Sequence, residues 1–119
     1  MTEDTREKHP TRFGFFLVDN FTMISMASAI EPLRMANRII RRQHFSWKII
    51  SETGKSIVAS DGLSVNADYR IDNVNAIRAL DVIVVCGGSR IEVHLTDNVL
   101  KWLRSLGQSG ACLGSVCTG

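Results

Sequence analysis

The 119-residue sequence predicts an α/β fold: a mainly parallel sheet with helices on both faces. Three observations carry the prediction. Short uninterrupted apolar runs occur at 13–18 (FGFFLV), 81–86 (DVIVVC) and 111–116 (ACLGSV), as expected for strands buried on both faces. Stretches with helical periodicity separate them. A polar or glycine turn follows each run: DNFT, GGS and, after the third, CTG.

In order along the chain, residues 1–11 are polar and mixed in charge and read as a disordered tail. The run at 13–18 is the first strand. From Met23 to Arg42, Met26, Ile30, Leu33, Ala36 and Ile40 recur at helical spacing, with Pro32 predicting a kink or a restart. HFSWKIISE (44–52) alternates as a strand. SIVAS and LSV flank the turn signal Asp61–Gly62 and read as a hairpin-like excursion. NVNAIRAL is a short helix, and residues 81–86 form the second buried strand. Thr96 or Asp97 caps a helix whose apolar face is Val99, Leu100, Leu103 and Leu106, ended by Gly107. Residues 111–116 are the third buried strand.

Composition narrows the function classes. A net charge of +2 argues for neither a nucleic-acid nor a membrane surface, and the longest apolar run is far below the roughly 20 residues of a membrane span. The N-terminus lacks an apolar signal core, which predicts a cytoplasmic protein. Three cysteines outside any CxxC spacing predict reduced thiols rather than a disulfide frame or a metal site. No cofactor is expected. Arg34, Arg38, Arg41 and Arg42 read as a solvated basic helix end, and Trp47 and Trp102 as packing residues.

In parallel sheets, ligands gather beyond the carboxyl ends of the strands where strand order reverses. Asp19–Asn20, Gly87–Gly88–Ser89 and Cys117–Thr118–Gly119 all follow apolar strands, and neighbouring strands would bring them to one rim. A cysteine at a sharp strand-to-helix turn needs small neighbours, which GSVCTG supplies, and GGS offers backbone N–H groups unobstructed by side chains.

Residues 13–119, through FGFFLVDNFTMISMASAIEPLRMANR, SDGLSVNAD, DVIVVCGG and GSVCTG, resemble the ThiJ/PfpI (class I glutamine-amidotransferase-like) superfamily. Within it they are most similar to the N-terminal domain of GlxA-type AraC-family transcriptional regulators. The resemblance implies a flavodoxin-like fold, Cys117 as the elbow cysteine and Gly87–Gly88 as the oxyanion-cradle glycines. It also implies a chain truncated at the elbow, with further strands and a helix-turn-helix DNA-binding domain beyond it.

Two departures limit the chemistry the resemblance implies. The carboxylate that family enzymes pair with the cysteine is matched here by Ser25, and Glu31, six residues on, points elsewhere. The family's histidine lies beyond the elbow, whereas His9, His44 and His94 precede it. The expected function is therefore a dimerising sensor domain. It binds a small effector, an amino acid or methylated amine, without catalysis, at Cys117, Thr118, Gly87, Gly88, Ser89, Ser25 and Glu31. Phe21, Tyr69 or a tryptophan are candidates to meet the cation. The alternatives are a cysteine-dependent hydrolase or hydratase of the same superfamily and a purely structural partner domain.

Overall fold

The computed structural model describes residues 9–116. Its strands are β1 (Thr11–Leu17), β2 (Phe45–Ser51), β3 (Ile57–Val58), β4 (Ser64–Val65), β5 (Tyr69–Arg70), β6 (Val82–Cys86) and β7 (Cys112–Val116). Its helices are α1 (Met23–Ile40), α2 (Val74–Arg78), α3 (Ile91–His94) and α4 (Asp97–Gln108). Five strands form one sheet in the order β5-β2-β1-β6-β7, every pair parallel, while β3 and β4 form the separate antiparallel excursion. Strand order reverses at β1: the chain builds outward to β2 and β5, then returns to place β6 and β7 on the other side.

Alternation along the central strands splits the core into two layers. Phe15 and Leu17 of β1, Ile49 of β2 and Cys86 of β6 face Met26, Ile30 and Leu33 of α1. Phe16, Ile50 and Ile83, one residue out of step, face Ile77 of α2 and Val99, Trp102, Leu103 and Leu106 of α4. Helices therefore cover both faces, and the first and second apolar runs are buried as expected. Each fully buried Phe or Ile contributes on the order of 2–3 kcal/mol of transfer free energy.

The local chemistry explains the boundaries. Thr96 Oγ1 accepts from the Val99 amide at 3.2 Å and starts α4, and Asn73 caps α2 in the same way. The α1–β2 turn is held by one side chain. Asn37 Oδ1 accepts from the amides of His44 and Phe45, both at 2.9 Å, and its Nδ2 donates to the Phe45 carbonyl. Arg41 takes the left-handed conformation (φ 64°) that closes α1.

Several expectations need correction. α1 neither restarts nor stops at Pro32, which sits inside one 18-residue helix. Pro32 and Ser28 are exposed, so the Ser28 carbonyl that the missing amide would have met lies on the solvent face of the helix. α4 runs through Gly107 to Gln108, and the following turn is made by Gly110 at φ 81°. β1 begins at Thr11, one residue inside the stretch read as tail; residues 1–8 are outside the described ones. The largest correction is β7. It was expected to be buried on both faces, whereas Cys112, Leu113, Gly114 and Ser115 are exposed among the described residues. β5 and α3 were not anticipated; elements of two and four residues carry no periodicity to read. Among the described residues, no helix is long and apolar enough to cross a membrane.

Candidate functional site

The reversal of strand order lies between β1 and β6, so the loops leaving these strands meet there. The loop after β1 is anchored at several points. The Val18 amide donates to the Cys86 carbonyl at 3.3 Å, the Asn20 amide to the Val58 carbonyl at 2.9 Å, and the Ser60 amide to the Phe21 carbonyl at 2.8 Å. Phe21 is wholly buried and is a core residue, not an aromatic wall for a ligand. Tyr69 packs partly buried against the second core layer.

Three groups converge on Gly87. Its carbonyl accepts from the Thr22 amide at 3.1 Å and from the Ser25 hydroxyl at 3.1 Å, and the same hydroxyl lies 2.8 Å from the Thr22 carbonyl. Ser25 is completely buried. Its side chain fastens the first turn of α1 to the loop after β6. The Gly87 amide donates to the Val116 carbonyl at 3.1 Å, so it is spent on β7 and is not a free cradle donor, contrary to expectation. Gly88 is buried directly beneath the β1 loop. A Cβ there would come within 2.9 Å of the Thr22 nitrogen and 3.0 Å of the Asn20 oxygen. Only glycine permits that approach. Ser89 is exposed at the mouth.

The first two predicted loops therefore meet at one rim, and Val116, the last described residue of β7, reaches it through Gly87. Cys117 and Thr118 lie outside the described residues. Glu31 is not brought to the rim. It lies exposed on α1 in a bidentate pair with Arg34, at 2.6 Å and 3.0 Å, and that guanidinium holds its carboxyl below the ordinary value. Arg38, Arg41 and Arg42 are exposed at the end of the same helix, as the solvated-face reading expected. Cys86 lies deep in the core, where burial pushes its thiol up to about 12, which removes it as a nucleophile at neutral pH. Among the described residues, no group of three His, Cys, Asp or Glu side chains is placed to hold a metal ion.

Sequence reasoning missed a second region of the rim. His94, the histidine that follows the GGS loop in sequence, stands on α3 and borders a cavity of about 50 Å³ with Asp19 and Glu52. Glu52 accepts a 2.8 Å hydrogen bond from Thr96 Oγ1, so the capping residue of α4 also positions the carboxylate that follows β2. Glu52 ended the predicted second strand, and nothing in its spacing marked it.

Comparison with known proteins sets this geometry in context. Residues 15–119 match the model of the DJ-1/PfpI family. The HTH-type transcriptional regulator GbdR of Pseudomonas aeruginosa (strain UCBPP-PA14) is 42% identical over 114 residues, 96% of this chain and 30% of that protein. The HTH-type transcriptional regulator GlxA of Rhizobium meliloti is 32% identical over 120 residues, all of this chain and 36% of that protein. The chain thus spans about a third of the length of these curated relatives. A crystal structure of an AraC family transcriptional regulator from Pseudomonas putida superposes with a TM-score of 0.78 at 29% identity, over 89% of this chain and 64% of that one. The flavodoxin-like expectation holds, and with relatives that are HTH-type and AraC-family transcriptional regulators, the chain belongs to the DJ-1/PfpI family.

Proposed function

We propose that this domain is the effector-sensing and dimerising part of a transcriptional regulator and that it binds a small metabolite without chemical turnover. The observation that carries the reading is the wiring of Ser25. A buried hydroxyl that donates to the Gly87 carbonyl stands at the position that the resemblance matches to the carboxylate of family enzymes, and it supplies no proton acceptor there. A carboxylate there would point its negative charge at carbonyl oxygens. Glu31, the one acidic residue of α1, is committed to Arg34 in solvent. The relatives' names, as transcriptional regulators, support the regulatory half of the reading.

The effector is an amino acid or a methylated amine. Its anionic group rests on the amides of Gly88 and Ser89, the cradle donors that remain once Gly87 is bound to β7, beside Cys117 and Thr118. DNA contact belongs to a helix-turn-helix domain of the whole regulator.

The test is a thermal-shift screen of the full chain against amino acids and N-methylated amines. A ligand at about 100 times its Kd adds about 2.7 kcal/mol, a rise of several degrees for a domain of this size. Alkylating Cys117 should abolish that rise. A screen without any shift overturns the sensor reading, and so does a Cys117 thiol that alkylates with an apparent pKa well below about 8.5, the mark of an activated nucleophile.

A further inference from the structure

The face of the sheet opposite α1 is covered by α2 and α4, and the cover is incomplete. α2 has 5 residues and α4 has 12, so the shorter helix cannot pack along the whole of the longer one. Between them lies a groove of about 170 Å³. Val74, Ile77 and Arg78 form its α2 wall, at i, i+3 and i+4 of one helix face, and Trp102, Ser105 and Leu106 form its α4 wall with the same spacing.

The groove joins an apolar body to hydrogen-bond donors that have no acceptor. Ile77 is buried, and Val74 stays 55% exposed at the lip. Trp102 is fixed from the core side, where its ring packs on Phe16 with centroids 4.9 Å apart and planes tilted by 52°. Arg78 is the charged residue of the groove, and no acidic residue lines it. Arg12, Arg34 and Arg70 each have a carboxylate partner, whereas the Arg78 side chain has no ion pair or hydrogen bond among the described residues. The Ser105 hydroxyl is likewise unpaired among them. The Ser109 hydroxyl, also at the groove, is spent on the Leu106 carbonyl at 2.8 Å.

These features select a ligand chemistry. A dry cavity of about 150 Å³ lined by aliphatic and aromatic side chains holds a benzene ring, so this groove has room for one ring and little more. A fixed indole favours a flat aromatic partner in offset or tilted contact. An unpaired guanidinium matches a carboxylate, whose two oxygens take its N–H groups side by side. We infer that the α2–α4 groove is a binding site for a small aromatic monocarboxylate, with the ring against Trp102 and the carboxylate on Arg78 and Ser105. The groove belongs to the core layer opposite α1, so it is separate from the Gly87–Gly88 rim and does not require that rim to be occupied.

The probe is phenylacetate, titrated into the full chain in a Trp47→Phe background so that indole fluorescence reports on Trp102. A saturable change at millimolar phenylacetate or below is expected. Phenylacetamide keeps the ring and the shape but loses the charge, and it should bind at least tenfold more weakly. Arg78→Gln alters an exposed side chain with no partner to lose, yet it should weaken phenylacetate about tenfold or more. Ser105→Phe places a ring in the groove from an exposed helix position and should abolish binding, read by calorimetry, while the chain still unfolds cooperatively. Equal binding of phenylacetate to wild type and Arg78→Gln overturns the assignment. So does equal binding of the amide, undiminished binding to a folded Ser105→Phe chain, or no binding at millimolar phenylacetate.

Discussion

Putting a carboxylate back at position 25 is the sharpest perturbation the fold allows. Ser25→Ala removes the hydroxyl that bridges the Thr22 and Gly87 carbonyls, but the Gly87 oxygen keeps the Thr22 amide at 3.1 Å, so no carbonyl is orphaned. The loss is then one net hydrogen bond, about 1 kcal/mol, or roughly 0.5 M in the urea midpoint. Ser25→Glu is different in kind. The side chain enters a fully buried position facing two carbonyl oxygens, where only the protonated acid can donate. Burial should raise its pKa from about 4.3 by some 2–3 units, which is about 3–4 kcal/mol of pH-dependent cost. The sign follows from proton counting. The folded state binds more protons than the unfolded state between the two pKa values, so stability is highest below about pH 4.3 and falls as pH rises through the folded value. Urea unfolding of both variants at pH 5 and pH 7.5 cancels the groups they share. The glutamate variant should lose at least 1 kcal/mol more than the alanine variant at the higher pH. A deficit independent of pH, or an alanine variant as stable as wild type, would refute the donor wiring of Ser25.

Two glycines make a contrasting pair. Gly88→Ala drives a methyl against backbone atoms of Thr22 and Asn20 and should cost about 1–3 kcal/mol in chemical denaturation. Gly114→Ala meets only the Val84 side chain at 4.0 Å on an exposed edge and should be neutral or slightly stabilising. Iodoacetamide at pH 8 should label Cys112 in the native protein within minutes and leave Cys86 untouched until unfolding, as followed by peptide mass spectrometry. Glu31→Gln breaks an exposed pair and should shift the melting temperature by no more than a degree or two at neutral pH.

What could be read from the chain was whatever has a period. Phe15 and Phe16 are adjacent in sequence and serve opposite core layers, so a run of apolar residues with no alternation pointed correctly to a strand covered on both faces. β7, with the sequence CLGSV, differs from that pattern: Cys112 to Ser115 are exposed among the described residues. The meeting of the first two loops was legible because topology is: turns after parallel strands converge when the strands are neighbours, as those after β1 and β6 do. The use of each group at the rim was not. That the Gly87 amide is taken by Val116 depends on distances of a few ångströms that no spacing encodes, whereas the pairing of Glu31 with Arg34 follows from their i,i+3 spacing on α1.

Glu52 and His94 show a third kind of residue, one whose meaning exists only in the folded chain. Glu52 follows β2 and Thr96 caps α4, 44 residues later, and their 2.8 Å contact joins the two halves of the sheet's carboxyl edge. The β1 loop runs between that contact and Gly88, with Asp19 bordering the small cavity on one side and Asn20 touching Gly88 on the other. The amides of this segment are pinned, with Asn20 donating to the Val58 carbonyl of β3 and Val18 to the Cys86 carbonyl of β6. Asn20 holds φ at 67°, a left-handed conformation that asparagine accepts more readily than most side chains, so residue type and the flanking hydrogen bonds agree on the shape of the loop.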